Sequence, residues 1–412
     1  MSPALAPLAP DARARFVWIA SAPVQKILAA LTANDPGAAR FVGGCVRDSL
    51  IGVKPKDIDI ATTLRPEAVI AALRAAGLAA APTGLDHGTV TAIADHVPIE
   101  VTSLRADVST DGRRAAVAFT ADWETDARRR DFTLNALYLT PDLRLFDPVG
   151  GMADLSARRV RFIGLPEDRI REDFLRILRF FRFSARFAAD FDGPGLAACA
   201  ALKAGLGRLS AERIGDELTK ILAHPASARA VRAMIETGVL GEVWPAPADF
   251  ETFSRLKILA PEAAAPLGLA ALWGVGGEGI DARLRLSNTD GQRRRRAVER
   301  APLVAADLSD QAIRALIYRF GPAGFRDALA LAKARAPDPA AYVRHDALAA
   351  SFFPPPPPFS GHDVLAAGIG EGPEVAAVIA AAEARWIAED FPPPARGKAI
   401  LAEEIARFSA TG

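Results

Sequence analysis

Strand-forming patterns fill the early part of this 412-residue chain and nearly stop at Gly150–Gly151. Before that point HGTVTAIAD and VPIEVTSLR alternate apolar and polar positions with β-branched residues, and read as paired strands. FVGG, DIDIATT and LRLFDP read as further short strands. TDARRRDFTLNALYLT reads as a helix running into a strand. Between the strands, VRDSLIG and RPEAVIAALRAAG carry helical spacing, the second with Pro66 in its first turn and Gly77 beyond its end. From 166 to 349 only helical patterns follow one another, and a run of five prolines, Pro354 to Pro358, precedes a last helical stretch. Interleaved strands and helices followed by helices alone predict an α/β head and an all-α remainder.

The chemistry is concentrated in GGCVRDSLIGVKPKDIDI. On a strand, residues i and i+2 point to one face, so Asp57 and Asp59 are expected side by side between Ile58 and Ile60. Two hard oxygen ligands that close call for a divalent cation. Glu100, on a neighbouring predicted strand, is the candidate third ligand. The Gly43–Gly44 turn opens a helix whose backbone N–H groups can receive phosphate oxygens, and Arg47 adds charge. A phosphate cradle beside a magnesium site is equipment for phosphoryl or nucleotidyl transfer.

Two later segments add recognition. In RRRDFTLNA, Arg130 suits bidentate binding of a triphosphate, and Asp131 and Asn135, four residues apart, suit ribose hydroxyls. EDFLRILRFFRF is expected to be one helix on which Asp173 and Arg176 set an acceptor beside a donor fork. Cytosine and adenine both present an amino donor beside a ring-nitrogen acceptor, so this pair would take CTP and ATP and reject UTP and GTP. Arg179 continues the face; Arg182 lies about half a turn from Asp173. The segment from Thr102 to Phe119 suits a mobile loop near the substrate, and DPVGGMADL a hinge.

Composition bounds the rest. A net charge of +1 confines any basic surface to local patches. Two cysteines, Cys45 and Cys199, suggest a reducing compartment, and no apolar run reaches membrane-span length. The five histidines show no metal-ligand or triad spacing. The N-terminal MSPALAPLAPDARARF lacks an export core and reads as a leader. A cytoplasmic protein without membrane association is expected, and nothing marks a protein partner.

Taken in order, these segments resemble the motifs of the class II tRNA nucleotidyltransferase and bacterial poly(A) polymerase superfamily. GGCVRD with DID is similar to its catalytic motif, RRRDFTLNA to its ribose motif, DPVGGMADL to its hinge, EDFLRILRFFRF to its nucleotide-templating motif and LSAERIGDEL to the helical motif that follows. FSGHDVLAAGIGEGPEV resembles, more weakly, a C-terminal element of many members. The resemblance implies a seahorse-like, multi-domain fold: a leader (1–21), an α/β nucleotidyltransferase catalytic head (22–150), a helical neck (151–225), an RNA-binding helical body (226–350) and a Pro-linked helical tail (351–412). It implies that Asp57 and Asp59 bind Mg2+, that Gly44, Arg47 and Arg130 contact the nucleotide, and that Asp173 and Arg176 read its base with Arg179 and Arg182 lining the pocket. The partners it implies are the tRNA acceptor end, CTP and ATP. The segment TGLDHGTVTAI lacks the GRRF-like element of many poly(A) polymerases and so resembles the CCA-adding branch, and the loop TSLRADVSTDGRR, which enzymes adding only CC are expected to lack, points to full CCA addition. Poly(A) addition and partial CC or A addition are the alternatives.

Overall fold

A computed structural model describes residues 5–107 and 117–411. The greater part of the expected mobile loop, 108–116, lies outside the described residues. The chain divides into two compact units, Met1–Glu217 with Ala233–Val243, and Leu218–Arg232 with Trp244–Gly412. Residues 151–217 of the expected neck group with the head, residues 218–225 group with the second unit, and residues 233–243 of the expected body group with the first.

The first unit is built on a mixed sheet. Its strands are β1 (Ala6–Pro7), β2 (Ala39–Val42), β3 (Asp59–Thr62), β4 (Ala79–Gly84), β5 (Thr89–Ala94), β6 (Val97–Ser103), β9 (Tyr138–Leu139) and β10 (Arg144–Phe146), in the order β1-β10-β9-β2-β3-β6-β5-β4. A separate ribbon pairs β7 (Arg105–Asp107) with β8 (Val117–Phe119). Among the described residues, β3 and β6 form the sheet's one parallel pair and its other pairings are antiparallel. The parallel pair needs a long crossover, which the helix Pro66–Ala75 and the β4–β5 hairpin fill.

Strand alternation sorts the core. Phe41 and Ile60 face the helices Ala22–Thr32 and Pro66–Ala75, with Val24, Ile27, Leu28, Val69 and Leu73 buried against them. Val42, Ala61, Tyr138 and Phe146 line the opposite face. The expected leader is corrected here. β1 pairs with β10, and Leu8, Phe16 and Ile19 are buried in the head core, so residues 5–21 belong to the fold.

The expected single helix over 172–183 is interrupted. One helix ends at Glu172 and the next runs Leu175–Phe187, with Asp173 extended between them (φ −153°, ψ 105°). The corner is held by packing: a Cβ on Gly205 would lie 1.9 Å from the Phe174 ring, so the ring fits only because Gly205 has no side chain. The second helix docks through Phe180 and Phe183 onto Phe132 and Phe162, the Phe162 and Phe180 rings stacking at 5.4 Å. DPVGGMADL is a packed corner: both Asp147 carboxylate oxygens accept from Gly151 and Met152 N–H, and buried Asp154 accepts from Thr133 Oγ1 at 2.6 Å.

The second unit is helical throughout its regular structure. Pro354 to Pro358 form no helix or strand, as expected. Beyond them Ser360 caps the helix Gly361–Ala366 through a reciprocal bond with Asp363, and Phe359, Val364, Val378, Trp386 and Ile400 share a core. Among the described residues no single helix is long and apolar enough to cross a membrane.

Candidate active site

The three predicted carboxylates lie near the start of β3, close enough for Asp57 and Glu100 to act on Asp59 by charge, with one correction. The strand begins at Asp59, and Asp57 lies in the bend before it, so the pair is not carried on a single strand. Asp59 is partly buried and in register with Glu100 on β6; Asp57 and Glu100 are exposed. Burial, then the charges of Glu100 and Asp57, raise the Asp59 pKa to about 6 against the opposing pull of Arg130 and Arg47. None of the three carboxylates forms an ion pair among the described residues. Such unneutralised acids fit a divalent cation. Among the described residues no three acidic, histidine or cysteine side chains gather closely enough to cage one unaided. The donor set therefore suits a small hard cation that completes its shell with water and substrate phosphate, and Glu100 adds negative charge beside Asp59.

Gly43 caps the helix Gly44–Leu50 with φ +70°, a conformation glycine adopts at no steric cost. A Cβ there would lie 3.6 Å from the Asn135 carbonyl and 3.9 Å from Arg130 Nη1, ordinary contact distances, so the positive φ and not crowding is what calls for glycine. Arg47 departs from the expectation of an open phosphate ligand. Its side chain is 5% exposed, donates through Nε and Nη2 to Asp48 Oδ1 at 2.9 and 2.7 Å and through Nη1 to Asn135 Oδ1, and stacks on Phe187. Its donors are committed to these partners, because Asp48 one residue on and Asn135 from a distant turn converge on it.

Arg130 is held by a residue that sequence reading missed. Asp126, 1% exposed, accepts from Arg130 Nε at 3.1 Å, Arg129 Nε at 3.1 Å, the Tyr138 hydroxyl at 2.7 Å and Arg105 N–H at 3.0 Å. Burial pushes the Asp126 pKa up, but Arg130, Arg129 and Tyr138 outweigh it and hold the carboxyl well below its ordinary range. The only signal in the sequence was an acid four residues before Arg130.

Asp131 and Asn135 do meet, although on a 3-10 turn rather than an α-helix: Asn135 Nδ2 donates to Asp131 Oδ1 at 3.0 Å. Asp131 Oδ2 accepts from Arg179 Nε at 2.7 Å. Arg182 turns away to pair with Glu217 at 2.7 Å, which also lies 3.9 Å from Arg179.

Arg130, Asp131, Asp173, Arg176 and Arg179 line one open pocket of about 260 Å³, joined there by Arg105, Arg129 and Arg213. Gly43, Gly44, Arg47, Asn135 and Arg182 are not in its lining. Asp173 Oδ1 accepts from Leu175 N–H at 3.1 Å and Oδ2 from Arg213 Nη2 at 2.7 Å. The Arg176 fork is oriented by the carbonyls of Arg169 (2.8 Å) and Arg129 (3.0 Å) and by Glu172 (2.5 Å). An acceptor and an oriented guanidinium thus face a cavity ringed by positive charge. The arrangement suits a polyanionic ligand with a hydrogen-bonding ring edge.

Residues 39–161 match the family model described as the poly A polymerase head domain, and 195–250 that of a probable RNA and SrmB-binding site of polymerase A. The chain is 43% identical to the mitochondrial CCA tRNA nucleotidyltransferase 1 of Mus musculus, over 56% of this chain and 55% of the relative. It is 38% identical to the CCA-adding enzyme of a Streptococcus pyogenes strain, over 48% of each chain. The match thus spans about half the length of these curated relatives. The crystal structure of the Bacillus stearothermophilus CCA-adding enzyme in complex with CTP is similar at a TM-score of 0.71 and 25% identity, covering 95% of this chain and 99% of that one.

Proposed function

We propose that this chain, which belongs to the class II tRNA nucleotidyltransferase and poly(A) polymerase superfamily, adds C, C and A to the 3′ end of tRNA from CTP and ATP and releases pyrophosphate. The observation that carries the reading is the pocket lined together by Asp173, Arg176 and Arg130, the last of which also acts by charge on Asp59. The relatives named as CCA-adding enzymes support the choice of substrate.

Asp57 and Asp59 would hold Mg2+, with Glu100 adding negative charge beside Asp59. When bound, the metal supplies activation of the tRNA 3′-hydroxyl and stabilisation of charge on the triphosphate. Arg130, kept charged and aimed by Asp126, binds the triphosphate; Arg179 braces Asp131 at the ribose position, with Asn135 behind it. Arg47 is a positioning residue, tying the Gly44–Leu50 helix to Asn135. Asp173 accepts the amino group that cytosine and adenine share, and Arg176 donates to the adjacent ring acceptor. Uracil would set a carbonyl against Asp173 and leave buried polar groups unpaired. Two buried free cysteines accord with a cytoplasmic location.

The test is incorporation on four tRNA transcripts ending at the discriminator base, at C, at CC and at CCA, with magnesium and single or mixed nucleotides, the products being sequenced. Addition that needs CTP and ATP and stops at CCA is expected. Open-ended A tails, on tRNA and unrelated RNA alike, would make the chain a poly(A) polymerase, and products halted at CC a partial enzyme.

A further inference from the structure

A closed circuit of hydrogen-bonded side chains passes through the ribose position, beginning and ending on one helix. Arg186 Nη2 donates to Asp48 Oδ2 at 2.8 Å. Asp48 Oδ1 accepts from Arg47 Nε and Nη2 at 2.9 and 2.7 Å, and Arg47 Nη1 donates to Asn135 Oδ1. Asn135 Nδ2 donates to Asp131 Oδ1 at 3.0 Å, and Asp131 Oδ2 accepts from Arg179 Nε at 2.7 Å. Arg179 and Arg186 both belong to the helix Leu175–Phe187, where nearly two full turns bring them to one face about 10 Å apart. Of the circuit's members, Asp131 and Arg179 line the nucleotide pocket and the other four do not.

The chemistry of the groups fixes the direction of every bond. A guanidinium has donors only and a carboxylate acceptors only, so the Asn135 amide between them turns its oxygen to Arg47 and its nitrogen to Asp131. That nitrogen helps to orient the Asp131 carboxylate. Arg47 holds the amide only while it is itself held, and its acidic partner Asp48 is anchored to the neighbouring helix by Arg186. Both guanidinium groups also lie over the Phe187 ring, at 4.1 and 4.8 Å from its centroid. With Arg186 removed, Arg47 and Asp48 keep each other but can pivot together. The Asn135 amide is then free to turn, and its oxygen repels Asp131. The carboxylate that meets the sugar moves, and a nucleotide with a 2′-hydroxyl is less sharply set apart from one without it.

We infer that Arg186 is a positioning residue for the choice of ribose over deoxyribose, acting through Asp48, Arg47 and Asn135 on Asp131. The inference rests on the nucleotidyl-transfer reading above and its placement of Asp131 at the ribose. It is tested with the full-length chain, magnesium and a tRNA transcript ending at the discriminator base, measuring kcat/KM for CTP, dCTP and UTP separately. Arg186→Ala is expected to lower the CTP-to-dCTP ratio by about fivefold or more and to leave the CTP-to-UTP ratio unchanged, because Asp173 and Arg176 lie outside the circuit. Arg186→Lys keeps a charged donor for the single contact to Asp48 and is expected to restore most of the sugar preference. The Arg186 side chain is 40% exposed and Asp48 retains Arg47, so neither change threatens the core. Equal loss of CTP and dCTP use in Arg186→Ala, at an unchanged ratio, would overturn the inference by reducing Arg186 to a structural role. A matching fall in the CTP-to-UTP ratio would overturn it too, since the whole helix would then have shifted. A wild-type chain that uses dCTP as readily as CTP would instead overturn the ribose placement of Asp131, and one that incorporates neither would overturn the functional reading itself.

Discussion

Asp59 on β3 stands directly in register with Glu100 on the parallel strand β6. With Asp57 just before the strand, the pairing gathers negative charge at a partly buried point that no cationic side chain neutralises by contact. Left to itself that arrangement costs stability; supplied with a cation, it becomes a ligand set. Sites of this kind trade folding free energy for chemistry.

The trade has a sign that can be measured. The Asp59 pKa is raised from 3.8 to about 6 in the folded protein, so the folded state holds that proton more tightly than the unfolded chain. The metal-free protein therefore loses stability as pH rises from about 4 to 6, by about 3 kcal/mol from this group, and the deficit persists above 6. Asp59→Asn is expected to remove that slope and raise the neutral-pH melting temperature in chelator, while abolishing nucleotide incorporation. Thermal melts of both proteins from pH 4 to 8 check it. A variant no more stable than wild type at pH 7.5 would refute the electrostatic account.

Asp126 should behave in the opposite sense. Its carboxylate stabilises Arg129 and Arg130 above the ordinary Asp range, and that stability is lost as pH falls toward its depressed folded pKa. Asp126→Ala leaves both guanidinium groups without their buried partner, at about 3–5 kcal/mol. Urea unfolding at pH 7 is expected to show that loss, narrowing in strong acid, and KM for the nucleoside triphosphate should rise through misplacement of Arg130.

Asp173→Ala is expected to damage base choice more than triphosphate binding, because Arg130 does not touch Asp173. Competition assays of CTP against UTP, with KM measured in parallel, separate the two. Arg176→Lys should not preserve selection: its guanidinium is shared among two carbonyls and a carboxylate, and an ammonium lacks the planar fork. Unchanged discrimination in either variant would sink the base-reading assignment.

Gly205→Ala tests the corner beneath Asp173. Its new Cβ would overlap the Phe174 ring, forcing a shift at an expected cost of about 1–3 kcal/mol. Since Phe174 follows Asp173 directly, the CTP-to-UTP ratio should fall together with the unfolding midpoint. A midpoint equal to wild type would mean the ring moves freely and the corner is not held by this contact.

The sequence determined what its neighbours along the chain can enforce. Alternation of buried Val90, Ala92 and Ala94 with the less buried Thr89, Thr91 and Ile93 made β5, Pro66 and Gly77 bounded a helix, and the spacing of Asp57 and Asp59 marked the carboxylate site. Even there the local rule reached too far: Asp57 stops short of the strand, and Asp173 falls between helices because Phe174 packs against Gly205, which periodicity does not register. Tertiary structure decided which partner each charged side chain takes. Arg47 finds Asn135 88 positions away, Arg179 finds Asp131 48 away, and Arg213 finds Asp173 40 away. Periodicity is a property of a few consecutive residues. An ion pair in a folded site is set by where distant backbone segments come to rest, so the chain's arginines, nearly equivalent as letters, were separated into pocket lining and buried struts only by the fold.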